Sequence, residues 1–192
     1  MKGRTIAIER NVAVLVGSFR KALFNRRAAH ALSGLAPEAL RLGIVEIGQL
    51  PHYNQDADDE GAPPAPRLSF RKTIGAADAV LFVTPEYNRS VPGVLKNAID
   101  VGSRPYGQSV WSGKPAAVMS VSPGAIGGFG ANHHLRQSLV ALDMPVLQQP
   151  EAYVGQAGTL FADDGSIASE ATRNLFRTFM VRFAAWIEAV LR

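Results

Sequence analysis

At 192 residues, with 47% hydrophobic and 19% charged side chains, the chain has the length of one sizeable α/β domain and a composition far from a disordered one. It has no cysteine, which excludes disulfides, thiolate nucleophiles, cysteine-ligated zinc and iron–sulfur clusters. The net charge of +4 is weighted to the front, where Lys2, Arg4, Arg10, Arg20, Lys21, Arg26, Arg27 and Arg41 face only Glu9 and Glu38. With no helix-turn-helix, zinc-finger or aromatic RNA-binding signature, that bias suits small anions or plain solvation better than nucleic acid.

No apolar run approaches the roughly 18 residues needed to span a membrane, and Met1 to Arg10 lacks the apolar core of a signal peptide, so a cytoplasmic location is the expectation. Residues 1–10, alternating around Ile6 and Ile8, read as an N-terminal extension or a short extra strand, and residues 11–192 as a single domain. The run Val12 to Val16 reads as a buried strand and Arg26 to Leu35 as a helix. The loop between them, Gly17 to Asn25, joins a strand's carboxyl end to a helix's amino end, where free N–H groups and the helix dipole bind phosphate. Ser18 and Asn25 add neutral hydrogen-bonding groups and Arg20 a planar charged donor. The loop has neither G-x-G-x-x-G nor G-x-x-x-x-G-K-[ST], so it suits a terminal monophosphate, and a phosphatase using such a loop would need the absent cysteine.

Leu40 to Ile47 reads as a second strand, followed by a polar, proline-rich loop from Gln49 to Pro66. Its His52, Asp56, Asp58, Asp59 and Glu60 lack the spacing of a metal loop and read as a solvated connection near a subunit interface or cofactor rim. A helix over Arg67 to Ala77 leads into a third buried strand, Ala79 to Thr84. Beyond the loop Pro85 to Ser90 comes a helix with Ser90 as cap, Pro92 in its first turn, and Val91, Val94, Leu95, Ala98 and Ile99 on one face. Pro115 to Val121 is the fourth strand. The glycine-rich Ser122 to Gly130 precedes a helix carrying Leu135, Leu139 and Leu142, and Met144 to Gln148 is expected as the fifth strand. The last helix, Glu170 to Leu191, carries a core stripe of Leu175, Phe179, Phe183, Trp186, Ile187 and Val190.

Strands alternating with helices imply a parallel sheet with right-handed crossovers and helices on both faces. Five strands in this length fit a flavodoxin-like three-layer α/β fold of strand order 2-1-3-4-5, whose ligand sits beyond the carboxyl ends of the strands at the switch between strands 1 and 3. The loops Gly17 to Asn25, Pro85 to Ser90 and Ser120 to Gly130 then converge on one site. A response regulator of the same strand order needs acidic residues where Gly17 and Thr84 stand. Pro85-Glu86-Tyr87-Asn88 offers main-chain groups to the polar edge of a flat heterocycle, with Tyr87 to lie against its ring.

The first loop matches G-S-x-R-x-x-S-x-N at Gly17, Ser18, Arg20 and Asn25. Together with Pro85 to Asn88 and Ser90-Val91-Pro92-Gly93-Val94-Leu95-Lys96-Asn97-Ala98-Ile99-Asp100, it resembles the NADPH-dependent FMN reductase family, which includes quinone, azo-dye and chromate reductases. The resemblance runs from about Val12 to the end of the last helix. It implies FMN as cofactor and NADPH or NADH as electron donor, in a ping-pong reduction of quinones, azo compounds, chromate or free flavin. By the same resemblance Ser18, Arg20 and Asn25 hold the FMN phosphate with Phe24 beside them, and Pro85, Glu86, Tyr87 and Asn88 line the isoalloxazine. Ser120, Ser122, Gly124 and Gly127 approach its pyrimidine side, and no protein side chain is required as nucleophile or acid. Leu23 departs from the family's usual hydroxyl, and Gly130 stands where the chromate and quinone reductase branch often has a basic residue.

The resemblance further implies a homodimer or homotetramer with small-molecule acceptors, and neither nucleic acid nor membrane as partner. A two-electron reductase competes with a flavodoxin-type electron carrier, disfavoured by the basic charge, and with a flavin-binding interaction protein. His133 and His134 point in different directions on a helix and are expected to be structural or interfacial rather than proton donors.

Overall fold

The computed structural model describes residues 8–19 and 24–192. In chain order the elements are β1 (Arg10–Val16), α1 (Phe24–Leu35), β2 (Leu40–Val45), α2 (Asp56–Asp59), α3 (Ala65–Ala76) and β3 (Ala79–Thr84). There follow α4 (Gly93–Gly102), β4 (Ala116–Val121), α5 (Phe129–Ala141), β5 (Ala152–Val154) and α6 (Glu170–Val190). The five strands form one sheet of order β2-β1-β3-β4-β5, every pair parallel. This is the flavodoxin-like arrangement expected from the alternation of elements. No helix among the described residues is long and apolar enough to cross a membrane.

The period-two alternation of the strands divides the core. Val12, Val14, Leu81, Val83, Ala117 and Met119 face α1 and α6, while Ala13, Leu15, Val80, Phe82 and Val118 face α3, α4 and α5. Because both faces are covered, β3 and β4 are apolar at nearly every position, as parallel strands under two helical layers must be. The buried ring of Trp111 fills the second layer and donates from Nε1 to the Ile99 carbonyl at 2.9 Å. Gly102 lies so close beneath it that a Cβ would come within 2.5 Å of the ring.

Three local expectations change. The fifth strand is Ala152–Val154, not Met144 to Gln148: Val146 makes a single bridge to Ala116, and Pro145 has no N–H with which to continue a ladder. Ser90 does not cap α4, whose N-cap is Pro92, because the Ser90 hydroxyl is hydrogen-bonded to His134 Nδ1 at 2.8 Å and its main chain closes a turn with Tyr87. The stripe of α6 also includes Phe176 and Met180, both fully buried, whereas Leu175 and Trp186 flank it.

The connection after β2 is more ordered than a solvated loop. The bidentate pair of Arg71 with Asp58 (2.7 Å on each oxygen) is nearly buried, with the Asp58 side chain 2% exposed. Arg67 reaches the carbonyls of His52 and Asn54, and Asn97 binds the Tyr53 N–H and the Leu50 and Pro51 carbonyls. The acidic residues thus serve in part to clamp residues 50–58 onto α3 and α4. The basic front is also less free than its composition suggests: Arg10 pairs with Glu188 and Asp78, Arg26 with Glu46, and Arg41 with Glu9.

Candidate active site

The carboxyl ends of β1, β3 and β4 carry the three loops singled out by sequence. The register pairs Val16 with Val83 and Thr84 with Ser120, so the strands end side by side. At the first junction the Gly17 N–H donates to the Val83 carbonyl at 2.9 Å. A Cβ on Gly17 would meet Thr84 Oγ1 at 2.6 Å and the Pro85 ring at 3.2 Å, so only glycine lets the first loop leave the sheet here. Ser18 Oγ then lies 3.3 Å from Tyr87 OH, joining the first and second loops directly.

Asn25, the first buried side chain of α1, ties this loop to the third. It is fully buried, and its Nδ2 donates to the Val121 carbonyl at the end of β4 at 3.1 Å. Its Oδ1 is a buried acceptor with no partner among the described residues. An O–H or N–H donor, such as a polyol hydroxyl, satisfies that atom, whereas a bare phosphate oxygen does not; the second Nδ2 hydrogen remains for an anion. Phe24 is half-buried against the core under α1. Arg20 and Leu23 lie outside the described residues.

In the second loop Pro85 is buried and its carbonyl accepts the Thr84 hydroxyl at 2.9 Å. Tyr87 and Ser90 exchange main-chain hydrogen bonds of 3.1 and 3.0 Å around Asn88 (φ 50°) and Arg89 (φ 65°). Both central residues are left-handed, as in a type I′ turn, a conformation asparagine tolerates. The turn lifts the Tyr87 ring into solvent, 47% exposed. Glu86 turns the other way: one carboxylate oxygen accepts the Ala131 N–H in the first turn of α5 at 3.1 Å, and the other faces Arg89 at 3.2 Å. One N–H group in the first turn of α5 is therefore already spent on Glu86.

The third loop is held down at its back and open at its front. Ser122 donates its N–H to Val154, and Gly124 accepts from the Gly127 and Gln156 N–H groups. Ser122 Oγ also accepts the Gly124 N–H at 3.3 Å. Gly127 (φ 61°) presses on the Tyr153 main chain and Gly128 (φ 76°) on Ser120, where Cβ atoms would stand at 2.5 and 3.0 Å. Ser120 is fully buried beneath this turn with its hydroxyl bonded to Asn132 Nδ2, so it supports the loop from below. Among the described residues, the N–H groups of Glu86, Asn88, Ala125 and Ile126 have no acceptor; Asn88, Ala125 and Ile126 are exposed and Glu86 is partly so.

The sequence alone assigns no role to Asn132, Arg136 or Tyr153. Asn132 Oδ1 accepts from Arg136 Nε at 2.9 Å, and Arg136 continues to the Leu147 carbonyl, bracing the underside of the third loop. The signal was available: a buried asparagine interrupts the apolar face Ala131, Leu135, Leu139. Tyr153 OH lies 2.9 Å from Glu151 and 3.0 Å from His133 Nε2, and burial with the Glu151 carboxylate pushes its phenol up to about 12. His133 also packs on the Phe129 ring, 4.1 Å between centroids, while His134 faces Ser90. The two histidines thus brace separate contacts of α5.

A flat ring with a polar edge, carried on a chain ending in phosphate, fits these features: an exposed aromatic platform, unspent N–H groups on two loops, and a buried acceptor behind them. The comparisons point the same way. A model of the NADPH-dependent FMN reductase family matches residues 10–159. A quinone reductase of Pseudomonas putida is 65% identical over 93% of this chain and 95% of its own length. A 2-hydroxy-1,4-benzoquinone reductase of a Burkholderia species is 48% identical over 92% of this chain and 95% of its own. Among solved structures, the flavoenzyme NAD(P)H:(acceptor) oxidoreductase FerB from Paracoccus denitrificans superposes with a TM-score of 0.87 at 43% identity, covering 94% of this chain and 98% of that one. With its sheet, its loops and nearly its whole length shared in this way, the chain belongs to the NADPH-dependent FMN reductase family.

Proposed function

We propose that this protein is an FMN-dependent NAD(P)H:quinone reductase of broad acceptor range, extending from quinones to azo compounds, chromate and free flavin. The observation that carries the reading is the meeting of three loops around unspent main-chain N–H groups and an exposed tyrosine, in a chain of this family. Ser18, Arg20, Phe24 and Asn25 form the phosphate end of the site; Pro85, Glu86, Tyr87 and Asn88 line the ring, and Ser120, Ser122, Gly124 and Gly127 shape its far edge. When bound, FMN supplies the hydride chemistry, NAD(P)H being oxidised and the acceptor reduced by two electrons in alternating half-reactions.

The protein's share is positioning and charge stabilisation. The N–H groups of Glu86 and Asn88 would hold the cofactor's polar edge with Tyr87 beside its ring, and the N–H groups of Ala125 and Ile126 would favour negative charge on it. Glu86, held by Ala131, fixes the second loop against α5 so that these donors keep their spacing. No side chain acts as nucleophile. Protons for the reduced acceptor come from solvent, since the exposed second and third loops leave the site open.

We place the enzyme in the cytoplasm, where NAD(P)H is supplied, as a homodimer or homotetramer. Phe129 and Val140 on α5, 50% and 73% exposed, give such an assembly apolar surface to cover. Double-reciprocal plots at several fixed quinone concentrations test the alternating half-reactions: parallel lines support them, and lines that intersect rule them out.

A further inference from the structure

Arg89 occupies a position that its side chain makes costly. Of the two left-handed residues in the Tyr87 to Ser90 turn, the first is an asparagine, but the second, where glycine is favoured, is an arginine at φ 65°. The backbone there is fixed on two sides, by the Tyr87–Ser90 pair and by Gly130, where a Cβ would come within 2.8 Å of the Arg89 carbonyl. The side chain is 75% exposed. Its Nη1 donates to Glu86 Oε1 at 3.2 Å, while Glu86 is also engaged by the Ala131 N–H. Its remaining guanidinium N–H groups have no partner among the described residues, and Arg89 stands two residues from the exposed Tyr87 on the same short turn.

We propose that Arg89 selects acceptors that carry a negative charge beside a flat ring, above all quinones with an ionised ring hydroxyl. This rests on the quinone reductase reading above. A hydroxyl on a 1,4-benzoquinone is a vinylogous acid, so at neutral pH it is an oxyanion whose charge is shared with a ring carbonyl. A planar guanidinium can face that oxyanion and the carbonyl oxygen on the neighbouring ring carbon side by side, a geometry that a point charge does not match. The reaction is NAD(P)H plus one proton plus quinone giving NAD(P)+ and hydroquinone. Arg89 takes no electron or proton in it and acts by holding the oxyanion.

The test uses the FMN-loaded protein with R89Q and R89G; glycine suits the left-handed backbone, so R89G removes the charge without a folding penalty. Specificity is the ratio of kcat/KM for 2-hydroxy-1,4-benzoquinone over 1,4-benzoquinone. That ratio is expected to fall about tenfold in both variants, and in the parent to fall with added salt, as for one exposed charge pair. In parallel, the non-reducible anion 2-hydroxybenzoate is titrated by the change in flavin absorbance and should bind the variants about tenfold more weakly. An unchanged ratio with unchanged 2-hydroxybenzoate affinity overturns the proposal. So does a change confined to the NADPH-over-NADH ratio, which assigns Arg89 to the 2′-phosphate of the donor. A parent protein that reduces neither quinone overturns the reductase reading instead, and the 2-hydroxybenzoate titration still decides the role of Arg89.

Discussion

Replacing Gly127 by alanine is expected to pull the third loop off β5 and empty the cofactor site. The magnitude comes from two sources. At φ 61° an L-residue costs about 1–2 kcal/mol relative to glycine. The new Cβ would stand 2.5 Å from the Tyr153 carbonyl carbon and 2.8 Å from Val154 N, both main-chain atoms of a paired strand. Non-bonded carbons settle at about 3.5–4.0 Å, so the loop must retreat by about 1 Å. That retreat breaks or stretches the Ser122 N–H to Val154 bond (2.9 Å) and the Gln156 N–H to Gly124 bond (3.3 Å). At about 0.5–1.5 kcal/mol each, these bring the total to about 2–5 kcal/mol. For a chain of this size the thermal midpoint should drop by about 5–15 °C. FMN affinity, followed by quenching of flavin fluorescence, should weaken at least tenfold, roughly the effect of 1.4 kcal/mol. Gly158→Ala is the control, since Gly158 has no left-handed φ and a Cβ there would meet nothing within 4 Å. If the two variants melt alike and hold FMN alike, the packing of this loop on β5 does not shape the site.

Asp58→Ala removes one partner of a nearly buried ion pair and leaves Arg71 uncompensated, so urea unfolding should show a loss of about 3–5 kcal/mol. Arg71 holds the Asp58 carboxyl below its ordinary range. The pair's contribution is therefore complete above the unfolded value of about pH 4, and it disappears as pH falls through the lowered folded value. The variant should lack that acid limb, and an unchanged acid profile would show that the clamp carries no stability. Asn25→Ala strips the Val121 carbonyl of its donor and should cost about 1–3 kcal/mol; Asn25→Asp, which has no N–H to give, should not rescue it in the same unfolding assay. Arg20→Ala should lower FMN affinity and recover much of its activity with flavin in excess. Undiminished FMN retention through gel filtration would show that Arg20 is not part of the phosphate site.

Much of this architecture is legible in the sequence because it rests on local patterns. The continuous apolar runs of β3 and β4 are the mark of strands covered on both faces, and Gly17, Gly127 and Gly128 announce turns that only glycine can make. What stays hidden depends on partners far along the chain. Met144 to Gln148 has the composition of a strand, but Pro145 has no N–H to extend its single bridge backward, and from Met119 onward the ladder is taken up by Ala152–Val154. Ser90 has the chemistry of a cap, but His134, 44 residues on, takes its hydroxyl. The acidic loop after β2 reads as solvated until Arg71 and Asn97 arrive from α3 and α4. At the site the meeting of the three loops is readable, but not what each side chain does there. Ser120 points into the protein to carry the turn above it, and Glu86 is committed to α5.

The most direct measurement is the visible spectrum of the purified, FMN-loaded protein during anaerobic mixing with NADPH, followed by a quinone. The account predicts an oxidised flavin spectrum that bleaches on mixing with NADPH, without an abundant semiquinone, and returns in full when the quinone is added. A loaded protein that stays oxidised with both NADPH and NADH, or whose reduced flavin does not pass its electrons to any quinone, would contradict it.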